Sequence, residues 1–271
     1  MSAASGLRAS RRTRVAYGVY ISLILVLLFA PLVVVVLFSL HSAPRLSFPF
    51  DGISGRWYRE AFSDGAFRSA LGRSLAIGAG TALISGTLGL SAALALVRMG
   101  RRSRAVIVAI ALLPLAFPAL LYGIGLAIFY HEIGVGFSLW ATLAGHVVVT
   151  LPFTFLIIGA ALERFRFSLL EAARDLGASP VRAFWTVTLP NILPAVIGAM
   201  LIAMAVSIDE FPVAFFTAGP GTPTLPMLLY GRLNLGVTPS LNVVGTVLLV
   251  LTVALALLSA RLTTRQSERE R

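Results

Sequence analysis

Six stretches without a formally charged residue punctuate this chain, and each is long enough to cross a lipid bilayer. Uncharged residues fill the intervals from Arg14 to His41 (26 residues), Arg73 to Arg98 (24) and Arg104 to His131 (26). The pattern continues from Glu132 to Glu163 (30, with His146 the one titratable group), Arg182 to Asp209 (26) and Arg232 to Arg261 (28). About 20 apolar residues in a helix cover the hydrocarbon core. Only 12% of the 271 residues are charged, about half the usual share in a soluble domain. The expectation is an all-α, polytopic membrane helix bundle. Its six transmembrane helices fall near 15–38, 70–97, 105–130, 139–160, 192–216 and 240–260. Residues 1–14 and 261–271 are then short basic tails on a single membrane domain, 15–260.

A seventh uncharged stretch, Phe211 to Gly231, carries Gly219, Pro220, Gly221, Pro223 and Pro226. So many helix breakers would leave backbone polar groups unpaired in lipid. Residues 217–239 are therefore expected to form a loop, one that can dip back into the protein. Arginines set the orientation. The N-terminal tail, the second and fourth loops and the C-terminal tail hold 16 of the 22, against six on the other side. By the positive-inside bias both termini are expected in the cytoplasm, with the first span an uncleaved anchor. The opposite-side segment 41–69 carries Trp57, Tyr58 and Phe62. It suits either a short interfacial helix or a plain connection.

Several function classes are excluded by composition. All 22 basic residues are arginine, so the lysine of a phosphate-binding Walker loop is missing and ATP chemistry by that route must come from a partner. No cysteine is present, which removes disulfides and thiolate sites. His41, His131 and His146 stand far apart, and no metal or other cofactor site is expected. The net charge of +11 reflects the loop arginines and does not call for nucleic acid.

The fourth loop, 161–191, is the most informative segment. Glu171 to Leu176 favours helix, with Ser168 and Glu171 at capping-box spacing, and Gly177 suits the helix end. Ser179-Pro180 restarts a second helix. A helix–turn–helix this small cannot bury a core of its own. Its small residues (Ala172, Ala173, Gly177, Ala178) and large ones (Leu170, Phe184, Trp185) fit docking into a partner's groove, or an amphipathic connector lying on the bilayer.

The spacing Glu171-Ala172-Ala173, Gly177, then Val187, Leu189 and Pro190 resembles the EAA loop of ABC importer permeases, with valine for the usual isoleucine. The resemblance runs from about Trp57 to the end of the sixth span. It is most similar to the second permease of spermidine/putrescine importers. Trp57-Tyr58-Arg59-Glu60, Arg73-Ser74-Leu75 (with Arg73 for the usual asparagine), Ser207 to Phe211, Gly219-Pro220, Thr224-Leu225-Pro226 and Gly236 to Pro239 with Asn242 carry that likeness. It implies a non-catalytic, multi-pass inner-membrane subunit that forms the path for a small solute such as a polyamine. It also implies three partners: cytoplasmic ATP-binding subunits that bind the ATP, a second permease (a different chain), and an external solute-binding protein. Glu171, Ala172, Ala173, Asp175, Gly177, Val187, Leu189 and Pro190 would form the ATPase-coupling loop.

Asp209 and Glu210 are the adjacent acids placed inside a span. A carboxylate there costs about 2.5 kcal/mol or more unless it meets a cavity or partner. They either line the substrate path or gate, or serve a structural end by pairing with an arginine or holding the helix break near Pro212. Pro114, Pro118 and Pro152 interrupt the third and fourth spans. Two rival functions remain: a secondary transporter without an ATPase, and an intramembrane serine protease using Ser91 and His146.

Overall fold

A computed structural model describes residues 11–44, 50–97, 99–234, 236 and 238–269, with backbone alone at 11, 12 and 264–269. Arg8, Arg45, Arg98, Val237 and Arg271, invoked above for topology or resemblance, lie outside the described residues. Among the described residues the regular structure is helical, apart from one isolated bridge between His41 and Ile53.

The chain forms two compact units, residues 1–61 with 237–246, and 62–236 with 247–271. The first contains α1 (Arg11–Ser39) and most of α2 (Arg56–Ser63). Backbone hydrogen bonds Ser42 to Gly52 and Ser54 to Leu40 close a hairpin between them. Trp57 Nε1 donates to the His41 carbonyl at 2.7 Å, and the Ser39 and Tyr58 hydroxyls pair at 2.7 Å. The segment 41–69 therefore does form a short helix, held at its start by polar contacts from aromatic side chains.

The second unit is built around α3 (Gly65–Val97), α6 (Leu139–Arg164) and α9 (Leu189–Asp209). With no hydrophobic drive between helices in lipid, close approach and buried hydrogen bonds hold such a trio. A Cβ on Gly89 would lie 2.5 Å from Thr154 Oγ1 and 3.1 Å from the Phe155 nitrogen, so glycine sets the α3–α6 spacing. Thr154 Oγ1 donates to the Ser85 carbonyl at 2.8 Å across the same seam. His146 Nδ1 meets Ser207 Oγ at 2.8 Å, and Ser207 reaches Thr81 at 3.3 Å, which ties α6, α9 and α3 together. Each such interhelical bond contributes on the order of 0.6 kcal/mol. Phe155, Ile158, Leu162, Ile192 and Val196 fill the apolar core at one end.

Among the described residues five helices are long and apolar enough to span: Thr13–Ser39, Gly65–Val97, Leu139–Arg164, Pro180–Asp209 and Pro239–Thr263. The third crossing, expected at 105–130, is instead a pair of helices, α4 (Arg101–Ala116) and α5 (Ala119–Glu132), bent by 100°, the geometry of a broken span or a re-entrant loop. The break falls at Pro118, whose missing N–H and ring prevent helical continuation. Pro114 and Pro152 stay inside their helices, so the interruption expected in the fourth span does not occur.

The fifth crossing also departs from expectation. Placed at 192–216, it ends instead at Asp209, and α10 (Pro212–Thr217) starts anew after an extended Glu210. The expected loop 217–239 contains α11 (Leu225–Leu233) ahead of α12 (Pro239–Arg269). Two ion pairs mark opposite ends of the bundle. Arg104 pairs with Glu163, joining the second and fourth loops, and Arg232 pairs with Asp64. Each unites segments that the arginine count assigns to one face.

Candidate functional site

The fourth loop is a built structure rather than a connector. An extended Phe165 ends α6, and α7 (Phe167–Asp175) follows with Arg166 at its N-cap. Ser168 thus lies inside the helix, which corrects the expected capping box: with buried Phe165 stacked edge-on to Phe167 at 5.4 Å, the helix starts two residues earlier. The end of α7 is as expected. Gly177 has φ of +83°, and the Gly177 and Ala178 amides donate to the Arg174 and Ala173 carbonyls at 2.8 and 3.0 Å. This is a Schellman closure, available to glycine at little cost. Ser179 Oγ accepts from the Arg182 amide at 3.3 Å and Pro180 occupies the first turn of α8 (Pro180–Ala183).

Phe184 to Thr188 then form a π-turn in which the Leu189 amide donates to the Phe184 carbonyl, five residues back. Pro190 explains its position. It cannot donate to the Thr186 carbonyl, and its ring crowds that carbonyl. Widening the helix by one residue just before the proline relieves the conflict.

The loop residues sort by exposure. Glu171, Ala172, Asp175 and Gly177 are exposed, while Ala173, Val187 and Leu189 are half-buried and Pro190 is exposed. Leu176, Val181 and Trp185 leave 90%, 68% and 61% of their surface open, an apolar tip that no described residue covers. Val187 packs against the Ile158–Leu162–Ile192 core. The packing ties this part of the loop to the bundle.

The two acids part company at the end of α9. Glu210 Oε1 accepts from the Val213 amide at 3.1 Å and caps α10, whose N-cap residue Phe211 has no polar side chain to offer. Asp209 is exposed, and its Oδ2 accepts from Thr252 of α12 at 2.8 Å. Beside them lies an aromatic cluster that the sequence reading missed. Phe211, Phe215 and Tyr230 have ring centroids 5.0 to 5.8 Å apart, and Phe215 and Tyr230 are nearly half exposed. The i, i+4 spacing of Phe211 and Phe215 was visible in the sequence, but Tyr230 joins only through the fold.

Ser91 and His146 are not brought together. Ser91 is exposed and donates to its own helix at the Thr87 carbonyl, 2.8 Å away, whereas His146 is buried against Ser207. The protease reading is not supported. No cluster of three metal-binding side chains occurs among the described residues.

The structure is thus a membrane-type helix bundle with a capped helix–turn–helix between its fourth and fifth crossings. The chain belongs to the family described as "Binding-protein-dependent transport system inner membrane component", whose profile matches residues 85–270. It is 36% identical over 232 residues to the putrescine transport system permease protein PotI of Escherichia coli (strain K12), covering 82% of this chain and 81% of that one. It is 29% identical to the spermidine/putrescine transport system permease protein PotC of Haemophilus influenzae, over 89% of this chain and 93% of the other. Its fold is similar to a bacterial ABC transporter structure involved in alginate import, with a TM-score of 0.67 at 15% identity over 95% and 96% of the chains. It is also similar to the MetNI methionine ABC transporter, with a TM-score of 0.58 at 20% identity over 75% and 99%. The chain is thus a multi-pass inner-membrane permease of the ABC importer class.

Proposed function

We propose that this permease passes a linear organic polycation, of the putrescine or spermidine kind, along a path that includes Asp209. The observation that carries the reading is the exposed Asp209 carboxylate at the end of a membrane-crossing helix. A carboxylate at that depth is costly in lipid and is tolerated where a cavity or a cation meets it. Glu210 serves mainly as the cap of α10. The neighbouring faces of Phe211, Phe215 and Tyr230 suit ammonium and methylene groups. Relatives named for putrescine and spermidine support the same class of cargo.

In this reading the termini and the Glu171–Pro190 loop face the cytoplasm. Glu171, Ala172, Ala173, Asp175 and Gly177 dock on a partner ATPase, while Val187, Leu189 and Pro190 fix the loop to the bundle. A second, non-identical permease and an external binding protein complete the importer. One relative in fold is an alginate transporter in complex with a periplasmic protein, which supports the last partner.

Labelled putrescine uptake by the reconstituted importer tests the proposal. Asp209→Asn is expected to cut uptake strongly while the ATPase subunits stay bound. Unchanged uptake and unchanged preference among amines would sink the role of Asp209. Loss of Glu171 or Gly177 without loss of transport would sink the coupling role.

A further inference from the structure

Between the docking loop and the bundle lies a cavity of about 440 Å³, within the range of small-molecule sites. Leu94 and Val97 from the last turn of α3 and Leu162 from the last turn of α6 form its roof. Leu170 and Arg174 of α7 and Trp185 of the π-turn form its floor. Among the described residues that line it, only Arg174 is charged and only Thr188 carries a hydroxyl. Arg174 shares its helix with Glu171 and Asp175, yet makes no ion pair among the described residues. Arg174 lines the apolar cavity instead.

The level of this cavity matters. It sits where two crossing helices end, and Trp185 and Val181 beside it are largely exposed. Tryptophan and arginine are the side chains that hold the boundary between hydrocarbon and headgroups. An apolar chamber at that boundary, with Arg174 unpaired among the described residues, is complementary to one class of molecule, a long hydrocarbon chain ending in an anionic head.

We infer that the cavity holds an acyl chain of an anionic phospholipid, with its phosphate on Arg174. Basic pockets at the ends of membrane helices bind anionic headgroups in this way. The lipid fills the gap between loop and span ends, so it braces α7 and the π-turn against α3 and α6. The force-bearing loop is then supported partly by a molecule of the bilayer. This site is independent of which solute the permease carries.

The test uses the whole importer, assembled with its ATPase subunits in nanodiscs of phosphatidylcholine. A trace of phosphatidylglycerol or phosphatidylcholine with a photoreactive acyl chain is added, and adducts are mapped by mass spectrometry. The anionic probe is expected to label peptides containing Leu94 to Val97 and Trp185 more than the zwitterionic probe. Arg174→Gln should lower that labelling about fivefold, the change expected from one basic residue at an anionic surface. Arg174→Lys should restore most of it, and Leu94→Trp, which narrows the chamber, should lower it while leaving the charge. Equal labelling by the two lipids, or labelling indifferent to Arg174→Gln and Leu94→Trp, overturns the inference. So does labelling that appears only after the ATPase is stripped away, which would assign the cavity to that subunit. Should Arg174→Gln not assemble, the two-lipid comparison and Leu94→Trp decide the matter. Loss of ATPase retention or of putrescine uptake is scored separately and bears on the coupling and cargo readings.

Discussion

Gly177 offers a test in which conformation can be separated from contact. Its φ of +83° places it in the left-handed region, and nothing lies within 4 Å of where a Cβ would stand. A side chain there has room, so any penalty must come from the backbone. For an L-residue that penalty is roughly 1–2 kcal/mol. At about 1.4 kcal/mol per tenfold change, alanine should reduce the docking-competent loop population by roughly 5- to 30-fold. Asparagine tolerates the left-handed region and should cost much less; valine, branched at Cβ, should cost most. The assay is ATP hydrolysis by the reconstituted importer, stimulated by loaded binding protein, alongside retention of the ATPase on the tagged permease. Expected activity falls in the order glycine, asparagine, alanine, valine. Equal activity in all four refutes the strain argument. If asparagine is as damaging as valine, bulk at a contact surface, rather than φ, is what glycine avoids.

Three further outcomes follow from geometry. The Ala66 amide first, and then Arg232, holds the Asp64 carboxyl below its ordinary pKa. The stabilisation it gives is therefore present above about pH 4 and lost as pH falls through the lowered pKa; Asp64→Asn should flatten the acid limb of thermal unfolding in detergent, and an unchanged limb rejects the linkage. Gly89→Leu must force α3 from α6 at Thr154 and Phe155, costing about 1–3 kcal/mol as overpacked cores do; a melting temperature equal to that of the parent would show that this seam is not tight. Glu210→Ala removes the cap on α10 and should destabilise by about 1 kcal/mol, with Glu210→Gln milder because its amide oxygen still accepts; a larger loss of uptake than of stability in Glu210→Gln would reveal a direct role with cargo.

Much of the architecture was legible because lipid imposes a simple length rule. Five of the six charge-free stretches became single crossing helices. Counting charges could not see the 100° bend at Pro118, which lies inside an uncharged run and depends on one missing amide; the stop at Asp209 falls where a charge-free run does end, and the expected span 192–216 ran past it. Local chemistry read well where it was truly local: Gly177 and Ser179-Pro180 behave as their sequence suggests. Ser168 failed because Phe165 and Phe167 settle the helix start by packing. The distinction between Asp209 and Glu210 was out of reach, since Thr252 lies 43 residues away from Asp209. Tyr230 joins Phe211 and Phe215 only once α11 folds back.

The helix that begins at Pro180 continues through the π-turn to Asp209, 30 residues in a single element. At roughly 1.5 Å per residue it reaches about 45 Å. One end carries the exposed tip of the docking loop and the other carries the carboxylate. Rigid-body tilting of that rod displaces both ends at once, in opposite directions and without delay. In the proposed reading, cargo release and motor stroke then share a lever.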